Sequence, residues 1–336
     1  IKAADGESDD YYKKDELVAT IKTDELGIAR TDDLPLGKYY VVEKETADGF
    51  VLDGEPRDID LTYRDQDTPV VTFDSEWQNS RQKAKVIVTK KEKDSDRVLE
   101  GGVFALCAKE DIKNTDGDVL VKADTIMEQK ATDKDGKIFF TADLPVGGSF
   151  YVKEVKAPAG FVTTEEVKEF TFEYAGADVP EVTFEHTFEN EATIFEITKS
   201  DLTTGVELDG ATLTVLDKDG NEIDKWTSVK GEPHIIKRLH VGETYILREE
   251  FAPYGYLKAE EVEFTITDTA EIQKVEMKDD VPIGRIIINK KGEFLSEVSW
   301  NDMVAGAMDS IWGYVTGSLK DVTFEIYARE DIKAAD

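Results

Sequence analysis

Apolar and polar residues alternate along three similar stretches of the chain, spaced roughly a hundred residues apart. The stretches are Lys38–Phe50, Ser149–Phe161 and Thr244–Tyr256, and each ends in a glycine followed by an aromatic residue. An alternation with a period of two is typical of a β-strand that turns one face towards a core. Three copies of one pattern indicate a tandem array of one domain type.

Short runs of β-forming residues, separated by turn residues, fill the rest of each repeat. Predicted strands include Val86–Thr89, Ile138–Phe140, Phe170–Phe172, Val182–Phe184 and Ile194–Ile197. The segments Asp133–Gly136 and Asp217–Asn221 are predicted to be hairpin turns, because as calcium loops they lack the remaining ligands. Helical periodicity is weak except over residues 294–318, an insertion to which no structure is assigned. The chain is therefore predicted to be all-β, with one β-sandwich per repeat.

The order of the repeated features divides the chain into two complete domains flanked by two partial ones. The divisions are residues 1–80, 81–191, 192–280 and 281–336, of which the first and the last are partial. The segment Val322–Ile332 resembles Val103–Ile112 near the start of a complete domain, and Ile1–Asp5 recurs as Ile332–Asp336. We therefore expect the last partial domain of one copy to be completed by the first partial domain of the following copy. That copy is either the next repeat of a longer polypeptide or a separate molecule docked head-to-tail.

By the same alternation, each repeat places a lysine, a glutamate and an asparagine or aspartate on the apolar face of a strand. The three sets are Lys90, Glu154 and Asn190; Lys199, Glu249 and Asp279; and, divided between the partial domains, Lys290, Glu43 and Asn79. Asp280 stands beside Asp279, and the strand alternation favours Asp279 as the member of its set. Buried charges are costly unless they are neutral or partnered, so the members of each set are expected to meet.

Two interpretations fit such a set of residues. The first is a buried ion pair or hydrogen-bonded network, which is often no more stabilising than apolar packing. The second is an autocatalytic isopeptide bond, because burial favours the neutral forms of lysine and glutamic acid. A neutral lysine amine is a nucleophile, and a protonated glutamate polarises the carbonyl that it attacks. Attack at asparagine releases ammonia and attack at aspartate releases water. The threefold recurrence of the set favours the isopeptide bond.

The motifs Ile197–Lys199, Gly210–Leu213 and Glu249–Tyr256, the last with the spacing Glu-x-x-Ala-Pro-x-Gly-Tyr, carry a family resemblance. The chain resembles the CnaB or SpaA-type prealbumin-like domains of Gram-positive surface adhesins and pilins. This resemblance implies tandem Ig-like β-sandwiches arranged as a rod, an isopeptide bond within each domain and a catalytic role for the glutamate of each set. It also implies a location on the cell wall-anchored surface of a Gram-positive bacterium. The segment Thr46–Gly49 departs from the motif because it lacks the proline.

The amino-acid composition argues against several kinds of binding partner and cofactor. A formal net charge of −32 argues against nucleic acid or an anionic membrane as a partner. No cofactor and no metal are expected, and His186, His234 and His240 lack metal-ligand spacing. The single cysteine, Cys107, has no partner for an internal disulfide and is expected to be an ordinary strand residue. No apolar run approaches the length of a membrane span.

The sequence thus predicts a structural stalk of a bacterial surface adhesin or pilus-like protein, with neighbouring copies of the same repeat as its partners. Its bonds would form once, without turnover, so it is not expected to be an enzyme. One alternative is an adhesin region that contacts a host protein, through its acidic faces or through the insertion with Trp300, Trp312 and Tyr314. Another is a sortase-assembled pilus shaft, although the sequence shows no sorting signal and no convincing pilin lysine motif.

Overall fold

The computed structural model describes residues 11–300 and 310–332. These ranges contain β-strands and no helix, which confirms the all-β prediction. The repeated segment Ile1–Asp5, most of its second copy and the middle of the 294–318 insertion lie outside the described residues. By its internal contacts the chain forms two compact units, one of Ile1–Ala157 with Thr164–Glu189 and one of Pro158–Thr163 with Asn190–Asp336.

The strands are short and follow one another closely along the chain. The first eleven are β1 (Gly37–Val41), β2 (Arg57–Leu61), β3 (Lys83–Glu92), β4 (Val103–Ala108), β5 (Ile112–Lys113), β6 (Val119–Val121), β7 (Ile126–Ala131), β8 (Lys137–Phe140), β9 (Ser149–Lys156), β10 (Val167–Thr171) and β11 (Glu181–Asn190). The others are β12 (Ile194–Asp201), β13 (Thr212–Leu216), β14 (Glu222–Thr227), β15 (His234–Lys237), β16 (Thr244–Phe251), β17 (Val262–Thr265), β18 (Gln273–Asp279), β19 (Lys291–Trp300) and β20 (Ser310–Ser318). The five strands predicted from the sequence overlap β3, β8, β10, β11 and β12, and β3 and β11 are considerably longer than predicted.

Strands β3 to β11 build a two-layer β-sandwich. One layer has the strand order β10-β9-β4-β7 and the other has the order β11-β3-β8, while β5 and β6 form a separate pair. Strand β4 runs antiparallel to both β7 and β9. The core between the layers contains Val88 of β3, Phe104 and Leu106 of β4, and Phe150 of β9. Alternate residues of β9 face this core, and the last of them is Glu154.

Strands β12 to β18 repeat this topology, with layers ordered β14-β13-β16-β17 and β15-β12-β18. Strand β12 therefore corresponds to β3, β13 to β4, β16 to β9 and β18 to β11. The opening strand β12 and the closing strand β18 are parallel neighbours, with Lys199 opposite Met277 and Asp201 opposite Asp279. The core between the layers is apolar and includes Phe195, Ile197, Leu213, Val215, Leu247 and Met277.

Both acidic segments set aside as calcium loops are turns. Asp217–Asn221 connects the paired strands β13 and β14 and is a hairpin turn, as predicted. Asp133–Gly136 connects β7 and β8, which lie in different layers, so the prediction of a hairpin was wrong there. Asp133 Oδ1 accepts hydrogen bonds from the backbone N–H groups two and four residues later, at 2.9 and 2.8 Å. Asp217 Oδ1 does the same at 2.9 and 2.8 Å. Aspartate side chains often stabilise turns in this way. In the part of the chain that the structure describes, no cluster of His, Cys, Asp and Glu side chains could hold a metal ion.

Two antiparallel hairpins lie outside the sandwiches, namely β1 with β2 and β19 with β20. Much of the unassigned insertion, residues 294–318, thus belongs to a β-hairpin. Its backbone pairs Val298 with Trp312 and Leu295 with Tyr314, residue types that favour strands. The described residues of the segments 62–80, 281–290 and 319–332 are not in strands.

Candidate functional site

The second sandwich brings Lys199, Glu249 and Asp279 together in its core. Lys199 Nζ lies 3.0 Å from Glu249 Oε1 and donates a hydrogen bond to Asp279 Oδ1. The lysine side chain is 1 % exposed and both carboxyl groups are fully buried. The three residues continue the core-facing rows of β12, β16 and β18, whereas Asp280 is exposed. The structure therefore places an amine between two carboxyl groups without access to solvent.

Burial shifts the Asp279 carboxyl group of this cluster towards its neutral form. Burial raises the pKa of Asp279 to about 6, against the opposing effect of Lys199 and with a smaller upward contribution from Glu249. Among the described residues, none donates a hydrogen bond to Glu249 Oε1 or to Asp279 Oδ2. Buried oxygens without donors are costly, and more so when they are charged. An amide between Lys199 and Asp279 would remove both charges of that pair.

The first sandwich holds Lys90 and Glu154 in the corresponding places. Lys90 Nζ lies 3.4 Å from Glu154 Oε1, and both side chains are fully buried. Burial lowers the pKa of Lys90, although Glu154 opposes this shift. The lower pKa increases the population of the neutral amine. The ring centroid of Phe104 lies 5.7 Å from Nζ. Asn190 is buried at the end of β11, the strand next to β3 in its sheet.

A backbone N–H group holds the second carboxyl oxygen of each of these glutamates. Thr164 N donates to Glu154 Oε2 at 2.8 Å, and Ala259 N donates to Glu249 Oε2 at 2.7 Å. Both donors lie ten residues after the glutamate, beyond the loop with the Ala-Pro-x-Gly motif. This bond leaves Oε1 directed at the lysine. These donors were not predicted, although their constant spacing from the glutamate is a signal in the sequence that identifies them.

Gly136 positions the backbone of Lys90 and was also missed. Its carbonyl accepts a hydrogen bond from Lys90 N at 2.7 Å. Its φ angle is 67°, and a Cβ atom there would lie 2.7 Å from the carbonyl oxygen of Lys90. Both the left-handed backbone and the close approach therefore require glycine. The sequence showed Gly136 only as a turn residue.

The third set is assembled in part. Asn79 Nδ2 donates hydrogen bonds to Glu43 Oε1 and to Thr46 Oγ1, both at 2.7 Å. Asp53 N donates to Glu43 Oε2 at 2.9 Å, and this donor again lies ten residues after the glutamate. Lys290 is exposed in a segment without strand structure. The structure thus brings Glu43 and Asn79 together and leaves Lys290 in solvent.

The structure also shows the surroundings of the cysteine, of one histidine and of two aromatic residues of the insertion. Cys107 is buried in β4, and burial raises the pKa of its thiol, which is typical of an inert strand cysteine. The centroid of the His186 ring lies 5.4 Å from that of the Phe170 ring, with the two ring planes tilted by 40°. Trp312 and Tyr314 of the insertion are exposed. Among the described residues, no helix has the length and apolar character needed to cross a membrane.

The raised pKa of Asp279 predicts how stability depends on pH in a variant that cannot cross-link, Lys199→Met. Because the folded-state pKa lies above the ordinary value of 3.8, this carboxyl stabilises the fold at low pH, and the contribution is lost as pH rises through about 6. Losing the Lys199 ammonium raises the folded-state pKa further. We therefore expect the free energy of unfolding to fall by about 1.4 kcal/mol per pH unit above pH 4, and by at least roughly 3 kcal/mol in all.

Urea unfolding of the Lys199→Met variant at a series of pH values measures this dependence. The double variant Lys199→Met with Asp279→Asn is the matched control, because it lacks the titrating group and should show a flatter profile. Equal slopes in the two variants would contradict the raised pKa of Asp279.

The SpaA prealbumin-like fold domain family matches residues 6–77, 84–187 and 193–281 of the chain. The matches cover well over half of the chain, which therefore belongs to this family. The resemblance inferred from the motifs is confirmed, and so are the tandem β-sandwiches of that fold. No curated protein sequence matches the chain at a significant level.

Several solved structures resemble the chain. The Bacillus anthracis TIE protein is 28 % identical with a TM-score of 0.50, over 77 % of this chain and 45 % of that one. The chain thus corresponds to less than half of the TIE chain. A streptococcal ancillary pilin is 24 % identical with a TM-score of 0.29, over 74 % of this chain and 76 % of that one. The C-terminal fragment of the pilus adhesin SpaC from Lactobacillus rhamnosus GG is 14 % identical with a TM-score of 0.38, over 62 % and 100 %. These likenesses concern the fold.

Proposed function

We propose that the chain is a stalk region of a surface adhesin or pilus-like protein of a Gram-positive bacterium, cross-linked by isopeptide bonds within its domains. The observation that carries this proposal is the solvent-free contact of the Lys199 amine with the carboxyl groups of Glu249 and Asp279. Lys90 and Glu154 repeat the arrangement in the first sandwich. A buried ion pair gains little over apolar packing, whereas an amide removes the buried charge altogether.

In the second sandwich the reaction joins Lys199 to Asp279. The Lys199 ammonium first gives a proton to the Asp279 carboxylate, whose pKa is raised by burial. The neutral Nζ then attacks Asp279 Cγ, and Glu249 carries the proton released by the attacking nitrogen to the leaving hydroxyl group. The Nζ–Cγ bond forms, the bond from Cγ to the hydroxyl oxygen breaks, and one water molecule leaves.

In the first sandwich the same reaction joins Lys90 to Asn190. The lowered pKa of Lys90 favours the attacking neutral amine. Glu154, held through Oε2 by the Thr164 N–H group, keeps Oε1 beside Nζ and transfers the proton. The Nζ–Cγ bond forms, the bond from Cγ to Nδ2 of Asn190 breaks, and ammonia leaves. No oxidant or cofactor is required.

Each bond would link the opening strand of a domain to its closing strand. The complete domains are residues 81–191 and 192–280, and tension along the chain would pass through the two bonds and bypass the loops between them. Such a link suits a stalk on the cell wall, where resistance to force and proteolysis matters more than turnover. Each bond forms once, so the chain acts on itself and is not an enzyme.

The intact mass of the denatured protein tests the proposal. We expect the wild-type protein to be lighter than its sequence mass by one ammonia and one water from the two complete domains. Glu154→Gln should no longer lose the ammonia but should still lose the water. Glu249→Gln should no longer lose the water but should still lose the ammonia. Each mass is compared with the sequence mass of the variant. Peptide mapping should find the Lys90 peptide joined to the Asn190 peptide, and the Lys199 peptide joined to the Asp279 peptide.

The matched controls are glutamates on the exposed faces of nearby strands. Glu185→Gln in β11 and Glu263→Gln in β17 change the same chemical group outside the sites, and both should keep the full deficit. A wild-type mass equal to the sequence mass would leave the sites as buried polar networks and would refute the cross-linking proposal.

A further inference from the structure

Glu43 and Asn79 form a half-site with the geometry of the complete sites. Glu43 accepts a backbone N–H bond ten residues later through Oε2, as Glu154 and Glu249 do. Its Oε1, the atom that faces lysine in the complete sites, accepts the Asn79 amide at 2.7 Å. The half-site thus holds a carboxyl group that can transfer a proton and a side-chain amide that a lysine amine can attack. The lysine amine itself is the part that the half-site lacks.

The half-site lacks the two strands that stand beside its equivalents in a complete domain. In the second sandwich, closing strand β18 pairs with the lysine-bearing β12, whereas the equivalent closing segment, residues 69–79, is not in a strand. In the complete domains β9 pairs with β4 and β16 with β13. The equivalent strand β1 pairs with β2, and its other edge has no strand partner among the described residues.

Two exposed segments of the chain carry the apolar patterns that these positions require. The lysine segment, residues 283–290, holds Ile286 and Ile288 at the positions of Val86 and Val88, relative to Lys290 and Lys90. The isoleucines are 66 % and 48 % exposed, whereas the valines are 2 % and 0 % exposed. Large apolar side chains so exposed on a strand-like segment mark a surface that needs a partner.

The second segment, residues 322–327, matches β4. Phe324 and Ile326 stand where the sequence similarity places Phe104 and Leu106, which are fully buried, yet they are 47 % and 69 % exposed. In the first sandwich, Phe104 lies opposite Glu154 on the neighbouring strand. Phe324 would accordingly lie opposite Glu43 and line the half-site.

Charge also matches the lysine segment to the closing segment. Residues 283–291 contain Arg285, Lys290 and Lys291 and no acidic residue, whereas residues 65–76 contain the acidic residues Asp65, Asp67, Asp74 and Glu76. The parallel register of β12 and β18 would place Lys290 beside Trp77 and Ile286 beside Phe73. Trp77 and Phe73 are exposed, so this pairing would cover apolar surface on both partners.

We propose that a second copy of this chain inserts its segments 283–290 and 322–327 into the open sheets beside β1 and residues 69–79, and that its Lys290 forms an isopeptide bond with Asn79. The proposal rests on the function proposed above, because it uses the same chemistry between copies. Nζ of Lys290 attacks Cγ of Asn79, with Glu43 transferring the proton. The Nζ–Cγ bond forms, the bond from Cγ to Nδ2 breaks, and ammonia leaves. Copies therefore join head-to-tail through a shared domain.

Mixing two single variants tests this junction. Lys290→Arg keeps the acceptor half-site but lacks the nucleophile, and Asn79→Ala keeps the nucleophile but lacks the acceptor. The wild-type chain should give a ladder of oligomers that survives denaturation, and each variant alone should remain monomeric. The mixture should give a covalent dimer only, with the summed mass of the two chains less one ammonia beyond their internal deficits. High ionic strength should speed the reaction, because each copy carries a net charge of −32.

The control is Lys291→Arg, which keeps the neighbouring charge and should retain the ladder. If the mixture yields no covalent dimer while both chains keep their internal deficits, this inference is overturned and the proposed function stands. If the internal deficits are absent too, the proposed function itself fails. A wild-type monomer that loses one further ammonia would show that the chain closes on itself, which also overturns the junction between copies.

Discussion

Replacing Glu249 with Gln is expected to lower the melting temperature of the second sandwich by roughly 20 °C or more. The proposed bond between Lys199 and Asp279 would close a loop of 80 residues. By the chain-entropy relation for cross-links, a loop of that size stabilises a domain by about 4–5 kcal/mol. Each kilocalorie shifts the midpoint of a domain of this size by about 4–8 °C. Glutamine keeps the shape of the side chain and still accepts the Ala259 N–H bond, so the loss would come mainly from the missing cross-link.

Scanning calorimetry of the full chain measures this effect. We expect one transition to move down in Glu249→Gln and a different one to move down in Glu154→Gln, so that each variant serves as a reference for the other. Glu263→Gln, at an exposed position of β17, should leave both transitions in place. A fall of only a few degrees in Glu249→Gln, with a wild-type mass that lacks the water deficit, would mean that no cross-link was present to lose.

The sequence predicted the core-facing rows because a strand has a strict period of two. Burial on one face then forces apolar residues into every second position, and Lys199, Glu249 and Asp279 are conspicuous as charged residues in those rows. The same rule separated Asp279 from Asp280. The pattern could thus predict which side chains share a core, and the contacts of Lys199 follow from the layer order of the sandwich.

What the sequence could not predict depends on loop geometry and on breaks in the period. The N–H groups of Thr164 and Ala259 reach their glutamates because a loop folds back across the sheet. Their constant spacing marks which residues are involved, but a single copy of the motif does not show the path of the loop. The requirement for glycine at position 136 comes from its close approach to the carbonyl oxygen of Lys90, which is distant in the sequence. In the β19–β20 hairpin, an irregularity between Leu295 and Glu297 shifts the register, and such a shift hides the alternation of a strand.

The partial domains show that a period-two pattern specifies a face but not its partner. The alternation placed Ile286, Ile288 and Lys290 on one face, and the structure leaves all three exposed. A strand buries its apolar face only when a neighbouring strand and an opposing layer are present. The exposure of these residues is therefore a physical consequence of a sheet that lacks its neighbours, and a second copy would supply them under the junction proposed above.

When the two ends of the chain are pulled apart, cross-linked and unlinked domains are expected to release very different contour lengths. In the wild-type protein, tension would pass from Lys90 directly to Asn190, so the residues between them cannot extend. In Glu154→Gln the sandwich would unfold and release about 100 residues, which add roughly 330–360 Å of contour length at full extension. Glu249→Gln would release the 80 residues between Lys199 and Asp279, or roughly 260–290 Å.

Single-molecule force spectroscopy reads these steps one by one, and their two sizes identify which sandwich has opened. Glu185→Gln, at an exposed position of β11, should behave like the wild-type protein. Because the step length depends only on where the covalent shortcut joins the chain, it distinguishes a bond from strong packing. Strong packing raises the force of an unfolding event, whereas a bond abolishes the event. A wild-type chain that releases the same lengths as the two variants would show that its domains are held by packing and buried ion pairs alone.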